Sequence, residues 1–136
     1  MSNHIHLVVN STEPFQLKDT IRDFKKFTSK ACIDKLHAGV ESRKDWMLKL
    51  FSGFARESNR HKEFKFWQVG NHAIELYSSR FIWEKVNYIH QNPVRAGLVR
   101  KAEDWVYSSA SNYADIDSKL TDVIRIEPYL NYRRKF

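Results

Sequence analysis

The stretch NHIHLVVN, residues 3–10, decides the fold class. In an extended strand side chains alternate, so His4, His6 and Val8 face one way and Ile5, Leu7 and Val9 the other. The aliphatic set can lie on a core. The two imidazoles then sit side by side on the opposite face, close enough to share one metal ion. An edge strand with one wet face also carries histidines for no functional reason, and that is the ordinary reading of these residues alone. Read as a strand, the stretch puts a sheet beside whatever helices follow.

Composition bounds the rest. A chain of 136 residues, 42% hydrophobic and 14% aromatic, suits one domain with a real core. The single cysteine, Cys32, excludes a disulfide framework and a cysteine-based zinc cluster, and it fits a reducing, cytoplasmic setting. No apolar run approaches the ~20 residues of a membrane span, and no signal peptide precedes the first strand. The charge points to a partner. Twenty-three Lys and Arg against 16 Asp and Glu leave a net charge of +7, which suits a polyanion, nucleic acid before an anionic membrane surface.

Periodicity then lays out the elements. Residues 16–37 read as a helix with Leu17, Ile21, Phe24, Ala31 and Leu36 near one stripe, and Gly39 is its expected stop. A second helix is expected over 42–58, carrying Trp46, Leu50 and Phe54 at helical spacing. The segment HKEFKFWQVG, residues 61–70, alternates like a strand, with NHAIEL a short partner across Gly70-Asn71. From residue 79, SRFIWEKVNYIHQNP returns to helical period and is expected to end at Pro93. A short helix near 108–114 and a basic end, RRKF, complete the chain.

The third helix carries the chemistry. At about 100° per residue, Ile82, Val86, Ile89 and Pro93 cluster as the buried stripe. Tyr88 and Asn92, four apart, stack along its flank, where a phenol is anchored by the core yet reaches a cleft. A boundary tyrosine covering the core edge, and an asparagine that ends a helix before proline, are the ordinary alternatives. His90 lies well around the helix from Tyr88 and is expected to pack or to face solvent. His37 and His61 sit in polar contexts, and His72 is a turn histidine or an outside candidate for the site.

Four motifs in order resemble one family. NHIHLVV looks like the HUH motif, two histidines flanking a hydrophobic residue. FWQVGNHAIEL, YIHQNPVRAGLV and DWVYSSASNY resemble the remaining segments of the single-tyrosine HUH transposases, specifically the REP-associated tyrosine transposase branch. The resemblance runs from residue 3 to about residue 113. It implies an α+β, ferredoxin-like HUH domain with a small antiparallel sheet packed by helices, over residues 1–115, followed by a basic tail over 116–136. It implies that His4 and His6 bind a divalent metal, Mg²⁺ or Mn²⁺, that Asn92 completes the metal site, and that Tyr88 is the catalytic nucleophile. The implied activity is metal-dependent nicking and joining of single-stranded DNA at hairpin-forming repeats, through a 5′-phosphotyrosine intermediate, as in transposition. The alternative is a non-catalytic DNA-binding remnant of such an enzyme.

The expected partner is single-stranded or hairpin DNA, with no membrane. Lys18, Arg22, Lys25 and Lys26 on the first helix, and Arg95 and Arg100 after Tyr88, are placed to neutralise phosphates. Trp67, Trp83 and Trp105 are candidates for stacking on bases, with core packing expected for at least two of them. One feature departs from the family pattern: a strand and a helix normally precede the HUH strand, whereas here Met1 stands three residues before His4. The chain therefore reads as N-terminally truncated relative to the family. A central strand left open in this way needs a partner, because buried unpaired backbone groups cost on the order of 1–3 kcal/mol each. The expectation is a homodimer through His4–Val9, or else a small sheet in a largely helical protein.

Overall fold

The computed structural model describes residues 3–58 and 63–126. Its elements are α1 (Leu17–Ala38), α2 (Lys44–Arg56), α3 (Ser79–Arg95), a 3-10 turn (Ala102–Asp104) and α4 (Ala110–Tyr113). Among the described residues there is no strand. The expected ferredoxin-like α+β fold is therefore wrong for this chain, which is all-helical. By contacts it divides into two compact units, the described residues of Asn10–His72, and those of Met1–Val9 with Ala73–Phe136.

In the first unit α1 packs on α2, and Ile33, Leu36 and Ala55 are buried. Asp19 in the first turn of α1 and Lys35 and His37 in the last complement the helix dipole. Gly39 stops the helix as expected, through a bond from its N–H to the Lys35 carbonyl at 2.8 Å. A Cβ at position 39 would stand 2.8 Å from that carbonyl oxygen, so the close approach itself favours glycine. On α2 the apolar set at positions 46, 50 and 54 faces outward. Trp46 is 62% and Phe54 46% exposed, while Phe51 turns inward and packs on Phe66 at 5.2 Å.

The expected strand over 61–70 fails for a visible reason. Residues 61 and 62 lie outside the described residues, and 63–70 form no ladder and bend at Glu63, Trp67, Val69 and Gly70. Its aromatic side chains pack against helices: Trp67 lies 6.1 Å from Phe24 and donates its indole N–H to Thr28 Oγ1 at 3.0 Å. The backbone groups follow suit. Lys65 N–H donates to the Phe51 carbonyl, and the Lys25 ammonium donates to the carbonyls of Gln68 and Gly70. Groups that a neighbouring strand would have used are taken by α1 and α2.

In the second unit Ser78 caps α3, its hydroxyl accepting from Phe81 N–H at 3.2 Å. Val86, His90 and Pro93 form the buried stripe. The helix passes Pro93 and ends two residues later in a Schellman motif, with Gly97 N–H donating to the Val94 carbonyl and Leu98 N–H to the Pro93 carbonyl, both at 2.9 Å. Gly97 has φ +69°, the left-handed value that this cap requires. Pro93 removes the donor that would have met the Ile89 carbonyl, a loss confined to the end of the helix.

Tyr113 of α4 closes the core, its ring 5.5 Å from Trp83 and 5.2 Å from His90. His90 Nε2 meets Ser109 Oγ at 2.9 Å. Residues 116–126 of the expected tail are held to α4. Asn112 donates to the Leu120 carbonyl, Arg125 pairs with Asp115, and Tyr113 Oη accepts from Ile126 N–H at 2.8 Å. Residues 127–136 lie outside the described residues.

The segment at residues 3–10 is irregular and forms no ladder. Its aliphatic face does not lie on a core, since Ile5, Leu7 and Val9 are 48%, 52% and 46% exposed. Among the described residues there is no open sheet edge of the kind from which the homodimer was expected. No helix among the described residues is long and apolar enough to cross a membrane.

Candidate functional site

The site belongs to the second unit and is built on α3. Tyr88, Asn92 and Arg95 stand at intervals of four and three residues, so they share one face beside the buried stripe of Val86, His90 and Pro93. Tyr88 is about half exposed and Asn92 half-buried. The segment at residues 3–10 lays its two histidines against this face. The His4 and His6 rings are 4.9 Å apart, edge to face, as expected for residues two apart in an extended chain.

One hydrogen bond joins segment and helix across 86 residues of sequence: Asn92 Nδ2 donates to His6 Nε2 at 2.8 Å. That bond needs the His6 tautomer with its proton on Nδ1. The Tyr88 ring stands edge-on to His6, with centroids 6.0 Å apart at 80°. His4 Nδ1 meets the side-chain oxygen of Asn3 at 2.7 Å, which fixes its ring from the other side. Burial, and then the neighbouring His4, hold the His6 pKa below the ordinary histidine value. The shift favours the uncharged imidazole, the form that accepts a hydrogen bond or ligates a metal.

The donor set can be tested against a divalent cation. Among the described residues no three His, Cys, Asp or Glu side chains come together, so a carboxylate-rich site is not what this face offers. It offers two imidazoles and one carboxamide. Mg²⁺ favours oxygen ligands throughout, whereas Mn²⁺ accepts imidazole nitrogen beside carbonyl oxygen and water. The residues present fit Mn²⁺ better than Mg²⁺. The face is open surface. A cavity of about 390 Å³ in the same unit, lined by Asn112, Asp115, Asp117 and Arg125 among others, contains none of these residues.

The remaining candidates divide by what already occupies them. Arg22 is ion-paired with Asp19 at 2.5 Å and with Asp23 at 2.9 Å, and Lys25 is bound to two carbonyls. Lys18, Lys26 and Arg100 are exposed. Arg95 lies over the Tyr88 ring, its Cζ 5.6 Å from the centroid. Trp67 and Trp83 pack within their units, and Trp105 is half-buried beside Tyr107. His90 is a packing histidine whose pKa burial lowers. His37 packs on Phe64, His72 is exposed in the first unit, and His61 lies outside the described residues.

Arg95 was expected at phosphates, but its contact with Tyr88 was not foreseen in the sequence, nor was that of Asn3 with His4. Arg95 follows Tyr88 by seven residues, two helical turns, so the spacing alone puts them on one face. Asn3 abuts His4, but nothing in the pattern singles out that amide. No family model, no curated protein and no solved structure matches the chain.

Proposed function

We propose that this chain nicks and joins single-stranded DNA at hairpin-forming repeats, as a metal-dependent enzyme of the single-tyrosine HUH transposase type, in its REP-associated branch. The observation that supports the reading is the His6–Asn92 hydrogen bond with the Tyr88 ring beside it. It brings together, from opposite ends of the sequence, the residues that the motifs assign to metal and nucleophile. The reading rests on these motifs and this grouping, and not on a sheet. An exposed nucleophile on an open face suits a polymeric substrate better than a small metabolite, which needs a concave, enclosing pocket.

His4, His6 and the Asn92 amide oxygen would hold the cation, which when bound acts as Lewis acid and template for the scissile phosphate. The chain's own residues do the rest. Tyr88 supplies the oxygen that attacks phosphorus, giving a 5′-phosphotyrosine and a free 3′-OH. The covalent link retains the phosphodiester's energy, so a second 3′-OH can reverse the step and join strands without ATP. The Asn92–His6 hydrogen bond uses the one free lone pair of the imidazole and would give way when His6 and the Asn92 oxygen take up a cation, and the net charge of +7 favours DNA encounter.

A second reading, a DNA-binding remnant without catalysis, is favoured by one observation: no ladder hydrogen bonds hold residues 3–10. A single experiment separates the two. A hairpin oligonucleotide with a single-stranded flank is labelled at its 3′ end, incubated with protein and Mn²⁺, and run on a denaturing gel. The enzyme gives a slow, protein-linked band, and the remnant gives none.

A further inference from the structure

Tyr88 is held from two sides. His6 meets the ring edge to face, and the Arg95 guanidinium lies over it with Cζ 5.6 Å from the centroid, within cation–π range. The described arginines otherwise differ in occupancy. Arg22, Arg43, Arg80 and Arg125 each hold a carboxylate, whereas Arg56 and Arg100, like Arg95, have none among the described residues; of these three, Arg95 is the one over the Tyr88 ring. Among the described residues no carboxylate pairs with Arg95, and it is exposed. Its guanidinium therefore stands over the nucleophile's ring within cation–π range, and its exposed N–H groups can meet an anion. Lysine would keep the charge but not the planar fork of N–H donors that grips a phosphate through two bonds.

We infer that Arg95 is a catalytic residue of the strand-transfer step, clamping a non-bridging oxygen of the scissile phosphate while its guanidinium, over the Tyr88 ring, holds the phenol in place. The inference rests on the nicking activity proposed above. In the step, Tyr88 Oη forms a bond to phosphorus as the P–O3′ bond breaks with its electron pair on O3′. The phenol proton passes to water, and the departing oxygen takes one up. Arg95 stays protonated throughout and donates to the phosphate oxygens on which charge accumulates. Docking the phosphate and aiming the phenol thus become one event.

The test uses the full chain, the 3′-labelled hairpin oligonucleotide and Mn²⁺, with R95K and R95A compared at saturating DNA in single turnover. Misaligning the phenol costs about ten- to a hundredfold in rate. R95K should lose that much in adduct formation while keeping wild-type affinity and salt dependence. R95A should lose the rate and also bind more weakly, its salt slope shallower by about 0.7 for one lost phosphate contact on a single strand. A readout without DNA accompanies these. The ring signals of Tyr88 in ¹³C-tyrosine spectra, identified by their absence in Y88F, should shift in both Arg95 variants. Unmoved ring signals, or R95K reacting at the wild-type rate, overturn the assignment and leave the nicking activity standing. A wild-type protein that forms no adduct, with ring signals that do shift, overturns the nicking activity and the role of Arg95 with it.

Discussion

Replacing Tyr88 with phenylalanine removes one oxygen and little else. The ring keeps its edge contact with His6 and its place under Arg95. Among the described residues no hydrogen bond engages the hydroxyl, and the side chain is 47% exposed, so no buried partner is orphaned. Exposed changes of this kind stay within about 0.5 kcal/mol. For a domain of this size that is a melting shift under about 4 °C. The effect on chemistry is of another order, because without the oxygen no phosphotyrosine forms. The assay is the 3′-labelled hairpin with Mn²⁺, read for the protein-linked band, alongside a thermal melt and a binding isotherm. Y88F should melt and bind like wild type and give no band. A band that persists in Y88F refutes the assignment and moves it to Tyr107, which is 72% exposed. Tyr113 is a poorer substitute, since its hydroxyl already accepts from Ile126 N–H and its ring closes the core on Trp83 and His90. A melt lowered by much more than 4 °C would instead make Tyr88 a structural residue.

Replacing His4 and His6 together by alanine should abolish adduct formation and Mn²⁺ binding, the latter followed by titration calorimetry, with the thermal melt little changed because both side chains are exposed. Loss of the folded state would point to a structural role for the pair. His90 should titrate below the ordinary histidine value, because burial disfavours its charged form. Its folded pKa lies below its unfolded one, so its contribution to stability is complete above the unfolded value near 6.5 and is lost as pH falls through the folded pKa. Urea midpoints measured downward from pH 7 should decline for wild type and more gently for His90→Gln, and parallel curves would refute the assignment.

The helices were legible and the sheet was not, for reasons that lie in particular residues. A helix closes its own hydrogen bonds, so spacing along one segment carries most of the information: 16–37 was expected and Leu17–Ala38 is observed, 42–58 and Lys44–Arg56. A strand needs a second strand, and alternation says which way side chains point without saying what the backbone will meet. Phe66 and Trp67 show the ambiguity. Their pattern read as a strand, yet they pack on Phe51 and Phe24, and Lys25 and Phe51 take the backbone groups a ladder would have used. The buried stripe of α3 was half legible. Val86 and Pro93 are buried as expected, but His90 takes the place given to Ile89, because Ser109 bonds its imidazole and Tyr113 packs on it, and those partners lie 19 and 23 residues away.

The grouping of His4, His6, Tyr88 and Asn92 does not need a sheet. Two residues apart in any extended chain share a face, and residues four apart on a helix share another, so a single contact brings the two pairs together. That contact is the His6–Asn92 hydrogen bond. A bond of this kind contributes about 0.5–1.5 kcal/mol net, a preference of only a few-fold to about tenfold for the docked arrangement. The segment is thus held by Asn92 rather than by neighbouring strands, and Asn92→Ala should release it. His6 reports the release, because burial is the main cause of its lowered pKa and His4 the second. Undocking removes the first cause, so the His6 midpoint, followed by its ring proton shifts, should rise toward the ordinary histidine value in Asn92→Ala, with the melt nearly unchanged. The Tyr88 ring signals should move with it, since His6 leaves their edge. A His6 midpoint that stays low while Asn92 is absent would mean that something other than this amide holds residues 3–10 against α3.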